Sequence, residues 1–417
     1  MIAICKKEEC TGCASCLNVC KYGAIRMTPD EEGFSYPLID GKKCIDCQAC
    51  QKVCPANKRG SSSARPLEIY SGWSIDEDVR MKSSSGGAFT VLAEYVLNSE
   101  GVVFGCMLNE HLVAVHDYIE KVEDIEKLRG SKYVQSEIKY NYLKAKEFLN
   151  EGRLVLFSGT PCQISGLNAF LRRDYENLIT VDIICHGVPS PMLFEDYKRY
   201  IKEEKKITEI RNIQFRDKKK SWILFNIKIQ GIDKSTNEGK VYYGGWLKDK
   251  WIRGFLSDNF LRKSCYHCKY SNIQRISDFT IADWWGYMPQ KDEDYSFLRK
   301  GVSSIACNTS KSVKLWGMLK EKFIYRRRTE REYLRSNPSL THAFAIPETR
   351  TSFWFDYRNK GFKYVANKYM QTKKMTLRQH ICVNGADTFA KRLFVKVLYK
   401  YERVLQLFHL SFLDIKY

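Results

Sequence analysis

Two stretches decide the reading of this chain. They are Cys10-Thr11-Gly12-Cys13-Ala14-Ser15-Cys16-Leu17-Asn18-Val19-Cys20 and Cys44-Ile45-Asp46-Cys47-Gln48-Ala49-Cys50-Gln51-Lys52-Val53-Cys54-Pro55. In both, three cysteines are separated by two residues each and a fourth follows after three more. Three thiolates so spaced wrap one corner of an iron–sulfur cubane in a tight loop. The fourth, further along an opening helix, points away and serves the other cluster. On that logic Cys10, Cys13, Cys16 and Cys54 hold one 4Fe-4S cluster, and Cys44, Cys47, Cys50 and Cys20 hold the second. A pair of zinc knuckles is the competing reading, and the repeated spacing argues against it.

Residues 3 to about 58 resemble the bacterial two-cluster ferredoxin domain. Gly23-Ala24-Ile25 after Cys20 matches it as well, with Lys21 where that family usually has proline. Working outward, nine of the 16 cysteines lie in the first 54 residues. Their placement suits metal chemistry in a reducing compartment better than a disulfide framework, so a cytoplasmic protein is expected. The amino end is too short and too charged for a signal peptide, and no run approaches the roughly 20 apolar residues of a membrane span. At 417 residues and 44% hydrophobic, the chain is long enough for two or three packed domains. The formal charge of +20 counts every cysteine as neutral. Each four-thiolate cluster carries roughly −2, so the loaded protein stays basic and favours anionic partners.

The expected organisation is α+β or mixed α/β. A ferredoxin fold over 1–58 and a linker over 59–66 lead to a mixed α/β domain over 67–330, for which the family resemblance given below implies flavin binding, then a basic helical segment over 331–417. Gly101–Gly105, Leu154–Phe157 and Ile179–Ile184 read as buried strands, and Ile164–Arg173 and Met192–Glu204 as the helices after the last two. From Ile213 to Tyr243, including Trp222–Ile229, the alternation predicts antiparallel strands. No Gly-x-Gly-x-x-Gly follows a strand, so a nicotinamide-binding Rossmann unit has no support.

Four segments of the central region resemble the beta subunits of coenzyme F-420-reducing hydrogenase and deazaflavin-linked formate dehydrogenase. They are Lys82-Ser83-Ser84-Ser85-Gly86-Gly87-Ala88, Ser158-Gly159-Thr160-Pro161-Cys162-Gln163, Cys185-His186-Gly187-Val188-Pro189-Ser190 and Ser277–Gly286, with Cys265-x-x-Cys268 before the last. The resemblance implies a flavin and iron–sulfur electron carrier, with FAD contacts at Ser83, Ser84, Ser85, Gly86, Gly87, Thr160, Gly187 and Asp283. The residues give partial support of their own. Hydroxyls and glycines entering a helix expose N–H groups to a pyrophosphate, although a simple serine N-cap looks the same. Cys162 and Cys185 follow strands at the carboxyl edge where α/β sheets place chemistry. With Cys265 and Cys268 they make four thiolates, enough for a third 4Fe-4S cluster. A zinc site using His186 or His267, or a Cys162 that reacts with substrate, is the alternative. His186 is a candidate catalytic contact or a histidine bonded within a turn. The pair Trp284-Trp285 suits either an isoalloxazine wall or the core. Cys5, Cys106, Cys307 and Cys382 fit no spacing and read as buried apolar thiols.

Residues 351–417 hold 13 Lys or Arg against 4 Asp or Glu. Ala386–Leu413 reads as one helix with a basic face for an anionic membrane surface, a partner, or solvent. The whole describes an oxidoreductase passing electrons between a redox partner protein (a ferredoxin, or a reductase or hydrogenase subunit) and FAD. The family resemblance implies a small-molecule substrate, deazaflavin-like or sugar- or nucleotide-linked, since many bacterial members of that family sit in polysaccharide-synthesis gene clusters. A non-catalytic relay subunit is the rival. A nucleic-acid binder would need a recognisable basic-aromatic module, and none is visible.

Overall fold

The computed structural model describes residues 3–57, 64–287 and 297–373. In the cysteine-rich unit, β1 (Ile25–Pro29) and β2 (Ser35–Ile39) form an antiparallel hairpin beside two short helices, Ser15–Val19 and Ala49–Lys52. Each helix carries the third cysteine of its run, as the opening-helix reading requires.

The central sheet has eight strands: β3 (Glu68–Ser74), β4 (Val102–Leu108), β5 (Ala114–Ile119), β6 (Val155–Gly159), β7 (Leu178–Ile183), then β11 (Phe279–Asp283), β12 (Ser303–Cys307) and β13 (Phe323–Arg327). Between β7 and β11 the chain inserts β8 (Ile207–Asp217), β9 (Asn226–Asp233) and β10 (Gly239–Gly245), a separate antiparallel sheet. The large sheet runs β13-β3-β12-β11-β7-β6-β4-β5. Its four middle strands are parallel, and the flanking pairs are antiparallel. The apolar runs Val102-Val103-Phe104, Val155-Leu156-Phe157 and Leu178-Ile179 belong to strands covered on both faces. This is the mixed α/β architecture expected.

Alternate residues of those strands feed two cores. Val103, Leu156 and Ile179 face the helices Ala88–Asn98 and Ser310–Leu319. Val102, Phe104, Val155 and Phe157 face the helices Asn141–Asn150 and Pro161–Leu171, and this second core continues into Ile4, Leu17 and Ile25 of the cysteine-rich unit. Each such aliphatic side chain contributes about 1.5–3 kcal/mol by leaving water. Polar clamps fix the seam. Asn18 donates to the Lys139 carbonyl (2.8 Å) and accepts from the Leu143 N–H (3.1 Å). Glu32, on the turn between β1 and β2, pairs with Arg350 through both carboxylate oxygens (3.0 and 2.5 Å), both side chains largely buried.

The strand expected over Trp222–Ile229 begins only at Asn226. The Ser221 hydroxyl accepts from the N–H groups of Ile223 (3.1 Å) and Leu224 (3.4 Å), which turns the chain, and the Trp222 indole N–H is drawn to Asp283 (2.7 Å). Residues 58–63 lie outside the described part. Ala64 exchanges two backbone hydrogen bonds with Arg275 (3.0 and 2.8 Å), so the far end of the expected linker is anchored. The helix Arg350–Tyr369, kinked at Gly361 (φ +74°), buries Phe353, Trp354, Phe362 and Val365 against the helices Pro191–Glu204 and Lys250–Phe255. The helix expected over Ala386–Leu413, with Cys382 before it, lies outside the described residues. Among those described, no helix is long and apolar enough to cross a membrane.

Candidate functional site

The two cysteine loops share one backbone. Positive φ recurs at matching positions, Gly12 (+70°) and Ala14 (+59°) in the first, Asp46 (+55°) and Gln48 (+58°) in the second. Alternating left- and right-handed residues turn successive N–H groups into a concave nest suited to an anionic cluster. Cys20, Cys44, Cys47 and Cys50 line a single cleft. Cys10, Cys13, Cys16 and Cys54 lie close enough for each to act on the others' charge. These are the outer and inner quartets, grouped as the spacing predicts. Cys5 departs from expectation: its thiol lies beside those of Cys10 and Cys54, which raise it, so it belongs to the inner group's surroundings instead of being a stray apolar residue.

The third quartet also assembles. Cys162 stands in the first turn after β6, where Thr160 caps the helix in a reciprocal box with Gln163 and its hydroxyl lies 3.1 Å from the Cys162 sulfur. Cys185 follows β7, and Cys265 and Cys268 come from the turn Lys263–His267 and its end. Burial pushes the Cys162 and Cys265 thiols up to about 12 and Cys185 well above its usual value, and the neighbouring cysteines add to each shift. Four thiolates there need a positive centre to compensate them, which an iron cubane or zinc supplies. Among the described residues no three such side chains converge as tightly as a single ion requires. A zinc ion would draw its sulfurs to within about 4 Å of one another. The inner and third quartets adjoin, since Cys162 adds to the upward shift of the Cys13 thiol. Gly166, on the helix carrying Cys162, makes the approach feasible: a Cβ there would sit 3.0 Å from the Cys13 sulfur.

A cavity of about 520 Å³ opens at the carboxyl ends of β6, β7 and β11, where sheets of this kind bind ligands. Ser83, Ser84, Ser85, Gly87, Thr160, Cys185, His186, Gly187 and Asp283 line it; Gly86 and Cys162 do not. Gly86 packs edge-on between β3 and β12, where a Cβ would meet the Gly72 carbonyl at 2.4 Å. Cys162 faces its fellow thiols, which separates its proposed ligand role from a catalytic one.

One end of the cavity suits an anion. Gly87 (φ +101°) starts the helix Ala88–Asn98 without a capping side chain, leaving first-turn N–H groups for a ligand. Arg129, held by Thr90 (3.2 Å), and Lys132 stand beside it. Burial lowers Lys132 to about 8, and its ammonium donates to the carbonyls of Lys127, Leu128 and Arg129. The cavity wall also carries a flat aromatic stack, whose supporting Arg216 donates to the Ser84 carbonyl (3.4 Å). Trp285 stacks on Trp222 (4.9 Å, 7°), and Asp283 holds Trp222 together with the buried Arg216 (2.8 and 3.3 Å). Trp284 instead enters the core, so the tryptophan pair divides between the two roles. Asp278, at the other end of β11, bonds Thr180 and Thr309 away from the cavity.

Two histidines face the cavity. His186 is bonded through Nε2 to Asp258 (2.5 Å) and packed on Phe344 and Phe255. His116 belongs to no sequence motif. Its Nε2–H donates to the Ser158 carbonyl (3.0 Å), so its Nδ1 accepts from Ser136, whose oxygen accepts from Gln163. Burial lowers His116 to about 4. A folded value below the unfolded one of about 6.5 means stability is present above 6.5 and lost as pH falls toward 4. About 1.4 kcal/mol should go between pH 7.5 and 5.5, and urea midpoints should show this slope flattened in His116→Gln. Arg216, Trp222, Arg129 and Lys132 escape a sequence reading as well. The run Arg216-Asp217-Lys218-Lys219-Lys220 is the available signal, but a basic run ordinarily marks solvated surface.

The family model for the carboxyl-terminal part of the coenzyme F420 hydrogenase/dehydrogenase beta subunit matches residues 152–331, and its amino-terminal companion matches 69–140. A 4Fe-4S dicluster domain matches residues 9–58. An uncharacterised ferredoxin of Methanocaldococcus jannaschii is 39% identical over 51 residues, 12% of this chain and 65% of that protein. Ferredoxin-3 of Nostoc sp. is 31% identical over 65 residues, 12% of this chain and 67% of that one. The chain thus spans about two thirds of these curated relatives. A chain of the F420-reducing [NiFe] hydrogenase complex from Methanosarcina barkeri aligns with 15% identity and a TM-score of 0.43, covering 75% of this chain and 92% of that one. With two companion models spanning more than half its length and a dicluster domain in front, the chain belongs to the coenzyme F420 hydrogenase/dehydrogenase beta-subunit family.

Proposed function

We propose that this iron–sulfur oxidoreductase-type subunit binds FAD in the cavity and a third 4Fe-4S cluster at Cys162, Cys185, Cys265 and Cys268. It would pass electrons between a redox partner protein and a small molecule, deazaflavin-like or sugar- or nucleotide-linked. The observation that carries this reading is Cys185, which belongs to the third quartet and also lines the cavity. With clusters bound, the outer, inner and third quartets would supply one-electron carriers leading toward the cavity wall, which Cys185 reaches.

When bound, the flavin supplies the exchange between two-electron hydride chemistry and single electrons. The chain's own residues do the rest. The start of the helix Ala88–Asn98, with Arg129, would hold the pyrophosphate, and the Trp285 face would wall a flat ring. Asp258 orients His186 through Nε2, leaving Nδ1 to hold or release a proton toward the substrate. The cytoplasm suits oxygen-sensitive clusters, and the basic carboxyl-terminal segment suits an anionic surface. Anaerobic titration of flavin-depleted protein with FAD tests the cavity. Quenching of tryptophan fluorescence should saturate near one FAD per chain, and Trp285→Leu should weaken it. A cluster-loaded protein that binds no flavin would favour the relay role.

A further inference from the structure

Arg262 has no exposed surface, and among the described residues no carboxylate pairs with it. A buried cation without an anion is strongly disfavoured, so its surroundings ask what balances it. Its Nε donates to the Cys10 carbonyl (2.7 Å), its Nη1 to Gln135 (3.0 Å), and its Nη2 to the Ser35 carbonyl (3.1 Å) and the Cys10 sulfur (3.6 Å). The guanidinium also lies 4.2 Å over the Tyr36 ring. Every oxygen acceptor here is neutral, and the Cys10 sulfur is the one hydrogen-bond acceptor that becomes an anion; the guanidinium charge also reaches Cys162 and Cys265 more weakly, without a hydrogen bond. The same residue's carbonyl accepts the N–H of Cys265 (2.8 Å), so its backbone braces the third quartet while its side chain reaches the inner one.

We propose that Arg262 is the built-in counter-charge of the cluster held by Cys10, Cys13, Cys16 and Cys54, and that it raises that cluster's reduction potential. This rests on the reading that those four thiolates hold a cubane. Reduction takes one electron from the partner protein, or from dithionite in a test, and adds one negative charge with no proton. A fixed cation at the sulfur stabilises the reduced state more than the oxidised one.

The test is an anaerobic EPR-monitored redox titration of the full chain, with Cys47→Ser used to assign the outer signal. In Arg262→Gln the reduced-to-oxidised ratio of the inner cluster at fixed potential should fall about tenfold, equal to 59 mV for one electron. Arg262→Lys should stay near wild type, and the outer cluster should not move. Gln135→Glu neutralises the guanidinium in place and should shift the inner cluster in the same direction. It gives the answer if Arg262→Gln fails to keep iron. Full iron content with an unshifted potential in both charge variants overturns the inference. An iron-free wild type would instead overturn the cluster reading beneath it.

Discussion

Replacing Cys13 with serine should strip about four irons from each chain and stop electrons at the outer cluster. Cys13 is buried beside Gly166 and Cys162 adds to the upward shift of its thiol, so in the proposed arrangement the cluster it would help hold lies between the outer and third quartets. A serine hydroxyl does not ionise as a thiolate does and cannot replace that ligand. Passage from a protein donor to an acceptor in the cavity should fall to background. Cys47→Ser is the matched control, since Cys47 is exposed and belongs to the outer quartet. It should cost a similar amount of iron while leaving small-molecule reductants able to reach the cavity through the inner cluster. Iron assay and stopped-flow reduction with both donors check this. Equal behaviour of the two variants would break the proposed order of the quartets.

Asp283→Ala should be the most destabilising single change in the cavity wall, by about 3–5 kcal/mol. The carboxylate is the ion-pair partner of Arg216, whose side chain is 2% exposed, and it accepts the Trp222 indole N–H. Removing it strands a buried guanidinium and an indole donor at once, and frees Trp222 from the stack with Trp285. The denaturation midpoint should fall by roughly 10 °C, and FAD binding should weaken with it. Asp283→Asn still accepts from Trp222 but sets an amide against Arg216, so it should fall between wild type and alanine. An alanine variant as stable as wild type would mean that the Arg216–Asp283 pair contributes nothing.

Legibility from sequence followed the range of the interactions. The inner and outer quartets could be read because one short loop supplies three ligands of each. The strands β4, β6 and β7 could be read because continuous apolar runs mark them, and Thr160 because its helix starts where the strand stops. Arg216, Trp222 and Asp283 meet only through the fold, the ion-paired partners lying 67 positions apart in the chain. That meeting also overrode the alternating pattern at Trp222–Phe225, since a satisfied indole and a serine turn outweigh local strand preference. Cys5 escaped because its thiol reaches the inner quartet from outside the repeated spacing. Arg262 escaped because a lone arginine beside Cys265 says nothing of its reach to Cys10.

On the proposed reading three thiolate quartets hold three cubanes leading to the cavity. Iron, acid-labile sulfide and zinc measured per chain on anaerobically purified protein test it directly. About 12 irons with matching sulfide are expected. Zinc in the third quartet, or about eight irons with Cys162, Cys185, Cys265 and Cys268 all still free to alkylate, would contradict it.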